Sequence, residues 1–87
     1  MGELMPSYEA LGPVFHNALI PQFVAARKDK NISQLEMDEI LGVAKGLVSK
    51  WECGIRKPSG WLFCCWADAL GMQITLTPKV QNNDNKS

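Results

Sequence analysis

Residues 33–58 read SQLEMDEILGVAKGLVSKWECGIRKP and contain the signals for two successive helices. Ser33 and Glu36 have the spacing of a capping box, in which the hydroxyl accepts a hydrogen bond from the Glu36 amide while the carboxylate accepts one from the Ser33 amide. The pattern predicts a helix over residues 34–41 whose first turn is fixed by these two side chains.

A second helix is predicted almost at once in the same stretch. Gly42 ends the first helix, because glycine readily takes the left-handed conformation that follows a helix. Val48 and Trp51 mark one side of a helix from about Lys45 to Cys53. Residues 42–44 alone separate the two helices. A turn of that length is typical of the two crossed helices in a helix-turn-helix.

An apolar stripe precedes the capping box. It recurs at helical spacing and consists of Phe15, Leu19, Phe23 and Ala26. Pro21 can begin a short helix or kink a longer one that starts near Pro13. We expect the longer helix, kinked or broken, because Leu19 extends the stripe backwards, and we expect it to end near residues 30–31.

The last helix is predicted over residues 60–70. Ser59 stands at its N-cap and Gly71 just after its end. Trp61 and Leu62 lie off the main stripe, either at a dimer interface, which we favour, or in the peripheral core. The stripe that we expect in the core contains Phe63, Trp66, Ala67 and Leu70.

Residues 72–78 change the period from helical to alternating. The apolar residues on one face are Met72, Ile74 and Leu76. No other segment of the chain has a strand pattern, and the backbone of a strand needs a hydrogen-bonding partner. We therefore expect this segment to pair with its copy in a second chain, with its apolar face near Trp61, Leu62 and Cys65.

The composition disfavours several classes of protein. Nine basic residues balance nine acidic ones, so the net charge does not indicate a nucleic acid, a membrane or an acidic ligand. No apolar run reaches the length of a membrane span. The first ten residues lack a basic flank followed by an apolar stretch, so we expect no secretory signal. Three cysteines, an odd number, favour a reducing, cytoplasmic location. No pattern of nucleophile, base or metal ligands is visible, so we expect no enzyme, no metal and no other cofactor.

Four short motifs resemble a known family. They are ISQ at 32–34, LGV at 41–43, VSKWECG at 48–54 and RKPS at 56–59. Together they resemble the lambda-repressor/Cro-like helix-turn-helix family, also called the xenobiotic-response-element family, from about residue 19 to residue 70. The resemblance implies a mainly α, four-to-five-helix DNA-binding domain. The strand after it is similar to that of antitoxin-type and small phage or plasmid regulators, where it pairs across a dimer.

The resemblance also implies a division of the chain. Residues 1–12 form an N-terminal extension and residues 13–71 the DNA-binding domain. Residues 72–78 are the dimerisation strand, and the polar residues 79–87 are expected to be disordered.

Three sets of residues are candidate contacts. A helix of about nine residues can lie in the major groove with its N-terminal residues toward the base edges. We expect base contacts from Lys45, Gly46, Leu47, Ser49 and Lys50. By the family pattern, phosphates are met by Gln34, Arg56 and Lys57. The dimer interface is expected at Trp61, Leu62, Met72, Ile74 and Leu76.

The resemblance implies one ion pair and shows two departures. Glu52 pairs with the arginine that corresponds to Arg27, which we expect to be structural. Asp38 stands where alanine is usual, so it either caps or bonds to a neighbour or splays the helix crossing. Cys53 replaces a usually polar residue that often meets the DNA backbone.

Three functions remain open from the sequence. We favour a dimeric, sequence-specific repressor of double-stranded DNA, which can also regulate its own gene. The second is an antitoxin that binds both operator DNA and a protein toxin. The third is a protein-interaction module that keeps the scaffold without reading DNA, and the near-neutral charge leaves it open.

Overall fold

Helices make up most of residues 11–79, the part of the chain that the computed structural model describes. No strand occurs among these residues, so the mainly α prediction is confirmed for them. Predictions for residues 1–10 and 80–87 lie outside the described part. The elements are α1 (Leu11–Val14), a π-helical segment (Phe15–Leu19), α2 (Ile20–Asp29), α3 (Gln34–Leu41), α4 (Leu47–Glu52) and α5 (Gly60–Ala69).

The first helix is long and interrupted, as predicted. α1, the π segment and α2 follow one another without a gap. Pro21 explains the interruption, because its ring clashes with the carbonyl four residues earlier and it has no N–H to donate. The wider π turn lies just before it, where the Ile20 amide donates to the Phe15 carbonyl five residues back. Asn31, with φ +58°, follows the end of α2.

The capping box of α3 forms as predicted. The Ser33 hydroxyl accepts from the Glu36 amide at 3.0 Å, and the Glu36 carboxylate accepts from the Ser33 amide at 2.8 Å. Gly42 ends the helix in the left-handed region at φ +70°. The predicted bounds of this helix are therefore confirmed.

α4 is shorter than predicted. It begins at Leu47, because Gly46 has φ +90° and cannot belong to a right-handed helix. Lys45 and Gly46 form a turn that precedes it. The predicted start at about Lys45 is wrong by two residues, and the helix ends at Glu52.

α5 agrees with its prediction to within one residue. The Ser59 hydroxyl accepts from the Leu62 amide at 3.2 Å, which caps the helix, and Gly71 follows its end at φ +72°. Trp66, Ala67 and Leu70 are buried as predicted.

The core joins α2, α3, α4 and α5. A chain of aromatic rings runs through it, with Phe23 and Trp66 centroids 4.4 Å apart and Trp51 and Trp66 centroids 5.2 Å apart. Such tilted aromatic pairs add to the stability that burial provides. Packing against this core fixes the orientation of the short helix α4. The buried apolar residues are Ile20, Phe23, Met37, Val48, Trp51, Trp66, Ala67 and Leu70.

The segment from Met72 to Lys79 has no regular structure in this single chain. Met72 packs against the core, while Leu76 is 94% exposed. The segment borders a groove of about 400 Å³ that it shares with Phe63 and Ala67. Its neighbours within one chain therefore differ from the expected Trp61 and Cys65, which line another groove. Pairing with a second chain stays a prediction.

Candidate nucleic-acid interface

Asp38 fixes the turn between α3 and α4. Its side chain is buried, and its two oxygens accept hydrogen bonds from the amides of Gly46 at 2.8 Å and Val48 at 2.9 Å. The start of α4 is thus capped by a carboxylate from the preceding helix, because Gly46 has no side chain with which to cap it. Of the two roles expected for Asp38, the structure shows the capping role.

An ion pair joins α2 to the end of α4. Arg27 Nε lies 2.7 Å from Glu52 Oε2, and Nη2 donates to Oε1 at 2.9 Å. A third donor, Nη1, meets the Ile32 carbonyl at 2.8 Å. The hydrogen bond to Glu52 raises the pKa of Arg27 beyond its already high ordinary value, against an opposing effect of burial. The expected structural pair is confirmed.

Gln34, predicted to meet a phosphate, takes part in the same network. Its side-chain amide donates to Glu52 Oε1 at 2.8 Å and is half-buried. This side chain therefore connects the start of α3 to the end of α4. The first backbone amides of any helix have no partner within it, so the N-terminus of α3 still offers donors of its own.

The predicted base-contacting residues lie along one short piece of chain. Lys45 and Gly46 are in the turn, whereas Leu47, Ser49 and Lys50 are on α4. Lys45 and Lys50 are exposed, and the other three residues are half-buried. A Cβ at Gly46 would meet nothing within 4 Å. Within the chain the positive φ accounts for the glycine, and a base contact from Gly46 stays a prediction.

The exposed side chains between residues 27 and 57 are more basic than the sequence count suggests. Between residues 27 and 57 there are seven basic and five acidic residues. Asp38 is buried against backbone amides, and Glu52 is held by Arg27. Six basic side chains remain exposed, namely Lys28, Lys30, Lys45, Lys50, Arg56 and Lys57. The exposed acidic side chains are Asp29, Glu36 and Glu39.

Arg56 and Lys57 lie in the exposed loop that follows α4. They line a groove of about 390 Å³ together with His16 and Asn17 from the π segment. His16 and Asn17 were not among the contacts predicted from the sequence. Nothing local in the chain could have indicated them, because the π segment and this loop are brought together by the tertiary fold.

The residues predicted for a dimer interface lie on two surfaces within one chain. Trp61 is 77% exposed and lines a groove between α3 and α5 with Ile40 and Cys64. Met72, Ile74 and Leu76 border a different groove, the one that they share with Phe63 and Ala67 of α5. Leu62 is half-buried against the core.

Two features are absent from the part of the chain that the structure describes. No helix within residues 11–79 is both long enough and apolar enough to cross a membrane. The same residues contain no group of three or more histidine, cysteine, aspartate or glutamate side chains that could hold a metal ion.

Comparison with known proteins identifies the family. The profile of a family described as helix-turn-helix matches residues 24–75, more than half of the chain, and this range contains α3, α4 and α5. Searches of the curated proteins and of the solved structures find no match. The buried Asp38 cap and the Arg27–Glu52 pair hold the matched helices in place. The chain therefore belongs to the Cro/C1-type helix-turn-helix family of DNA-binding transcription regulators.

Proposed function

We propose that this protein is a dimeric, sequence-specific repressor that reads a palindromic operator by placing α4 in the major groove. The observation that carries the proposal is the cap on α4. Asp38 holds the N-terminus of that helix in a fixed position, with Lys45 exposed beside it and Lys50 exposed on the helix. The N-terminal part of a recognition helix is the part that contacts base edges.

Each base-contacting side chain has a distinct chemistry. Lys45 and Lys50 can donate to guanine O6 and N7 or to phosphate, and Ser49 can donate or accept. Leu47 offers an apolar contact to a thymine methyl group. Gly46 contributes the left-handed turn that brings Lys45 to the start of α4.

Phosphate contacts position the helix without reading sequence. Arg56 and Lys57 lie one loop beyond α4 and are exposed. The N-terminus of α3 also offers backbone amides, and Gln34 links that N-terminus to Glu52, the last residue of α4. Both sets of groups therefore lie near the C-terminal end of α4, where they can meet neighbouring phosphates.

The dimer supplies the second reading helix. Two copies of α4 related by a two-fold axis read half-sites about 34 Å apart, one turn of B-DNA. We propose that residues 72–78 pair across this axis. Ile74 and Leu76 are apolar and exposed in the single chain, which supports their burial by a second chain. Trp61 and Leu62 extend this interface.

Selection of bound sequences from a random duplex pool tests the proposal. The expected product is a pseudo-palindrome. Lys45→Ala or Ser49→Ala should then change the preferred base at one position in each half-site, by about 1–3 kcal/mol of discrimination. Lys28→Ala, which removes an exposed positive charge from α2, is the control and should leave base preference unchanged. Unaltered preference in both α4 variants contradicts the assignment of α4.

The phosphate contacts have a separate test. Arg56→Ala combined with Lys57→Ala should weaken binding to all sequences and flatten the dependence of log K on log salt by up to about two units. A changed base preference with an unchanged salt slope would assign these residues to base reading instead.

The groove between α3 and α5 favours the antitoxin as a second candidate function. Trp61 is 77% exposed and Ile40 is 55% exposed on its rim, which suits a protein partner. An antitoxin binds operator DNA as well as a toxin, so it shares the DNA tests above. A protein-interaction module without DNA binding would instead show no duplex binding at low salt.

A further inference from the structure

The π segment packs against the loop that ends the recognition helix. Gly54 has φ +84°, and a Cβ built there would lie 3.1 Å from His16 Cε1. The imidazole ring therefore rests directly on the backbone at Gly54. This contact places residues from the first helix beside the proposed DNA surface.

The groove formed by this contact has a basic and polar lining. Its volume is about 390 Å³, and Arg56 and Lys57 contribute both of its formally charged side chains. His16 and Asn17 contribute further hydrogen-bonding groups from the π segment. Among the described residues that line it, none is acidic. Such a lining favours an anion.

The position of the groove identifies the anion. Cys53, the residue after α4, lines it, so the groove begins where the recognition helix ends. Arg56 and Lys57 are also the residues proposed above to meet the DNA backbone. When DNA lies along α4, the anion nearest to this groove is a phosphate of the DNA backbone.

We propose that His16 and Asn17 extend the DNA-binding surface, and that a backbone phosphate occupies the groove they form with Arg56 and Lys57. This inference rests on the proposed function. It adds a contact from the π segment, which lies before residue 24, where the match to the family begins. The contact positions the protein on DNA and carries no base preference.

Charge substitutions at Asn17 provide the main test. Asn17→Lys should raise affinity for every duplex and steepen the salt slope by about 0.9, as one added phosphate contact does. Asn17→Glu should lower affinity for every duplex. Ala25→Lys and Ala25→Glu are matched controls, because Ala25 is exposed on α2 and they change the net charge equally. We expect these controls to leave the salt slope unchanged.

His16 has a second test that separates contact from packing. His16→Phe keeps a ring against Gly54 but removes both ring nitrogens. We expect it to lower affinity several-fold for all sequences while the melting temperature stays close to that of the parent protein. His16→Gln, which keeps a donor, should restore part of the affinity.

The outcomes distinguish this inference from the function beneath it. If the parent protein binds its selected operator but the Asn17 and Ala25 variants have the same salt slopes, the groove holds no phosphate and the DNA-binding function stands. If the parent protein binds no duplex at low salt, both proposals are overturned. A slope that changes with Asn17 alone supports the phosphate contact.

Discussion

The carboxylate of Asp38 accepts a hydrogen bond from the backbone amide of Val48 at 2.9 Å, across the turn between α3 and α4. Both residues are buried, and the second carboxylate oxygen accepts from Gly46. A buried carboxylate is costly unless its oxygens are hydrogen-bonded, and the two backbone amides meet that need. The crossing of the two helices therefore depends on this side chain as well as on core packing.

Replacing Asp38 tests this dependence. Asp38→Ala leaves two backbone donors without their acceptor and removes the cap of α4. We expect a loss of about 2–3 kcal/mol in the free energy of unfolding. Asp38→Asn keeps one oxygen and should lose less. Thermal or denaturant unfolding measures both, with Glu39→Gln as the exposed neighbouring control that should stay within about 0.5 kcal/mol. Equal stability of Asp38→Ala and the parent protein would contradict the cap.

Breaking one side of the Arg27–Glu52 pair should also destabilise the fold. Glu52→Gln leaves the Arg27 guanidinium nearly buried without a counter-ion, at an expected cost of about 3 kcal/mol or more. The pKa of Arg27 is raised beyond its already high ordinary value, so the contribution of the charged guanidinium to stability is complete near neutral pH and is lost only in strongly alkaline solution. The loss of stability in Glu52→Gln should thus be independent of pH near neutrality. Denaturant unfolding of Glu52→Gln at pH 6 and pH 8 checks both statements, and an unchanged unfolding midpoint would contradict the pair.

The capping box predicts an acid-sensitive step in stability. Hydrogen bonds from the Ser33 amide and hydroxyl lower the pKa of Glu36 from its ordinary value of 4.5. Since the folded-state pKa is the lower one, the carboxylate contributes stability above pH 4.5 and loses it as the pH falls through the folded value. Glu36→Gln cannot titrate at this position. The difference in melting temperature between the parent protein and Glu36→Gln should therefore shrink below pH 4.5, and a constant difference would exclude this titration.

Local features of the structure were predictable from the sequence, whereas contacts between distant segments were not. The capping box of Ser33 and the N-cap of Ser59 depend on residues three positions away, so their patterns are visible in the chain. The cap from Asp38 spans ten residues and depends on the left-handed Gly46. The resemblance to a family supplied the Arg27–Glu52 pair, but the contact of His16 with Gly54 lies partly outside the matched range.

The contact between His16 and Gly54 can be measured by comparing two glycines. Gly54→Ala forces alanine into the left-handed region and brings its Cβ to 3.1 Å from the imidazole. Gly42→Ala has the same backbone problem with nothing within 4 Å, so it measures the backbone cost alone, about 1–2 kcal/mol. We expect Gly54→Ala to cost more than Gly42→Ala. The excess should disappear when His16→Ala is added, and an excess that survives would place its origin elsewhere.

The proposed dimer makes the last prediction, at the segment that follows α5. Ile74→Pro removes a backbone donor and an apolar side chain that is 42% exposed in the single chain. If residues 72–78 pair across a two-fold axis, this variant should sediment as a monomer, keep its helical circular dichroism and bind the operator near its non-specific level. Leu35→Ala, at an exposed apolar residue near the start of α3 and outside the proposed interface, is the control and should remain a dimer. A dimeric Ile74→Pro with a monomeric Ile40→Ala, on the separate groove with Trp61, would move the interface to the groove between α3 and α5.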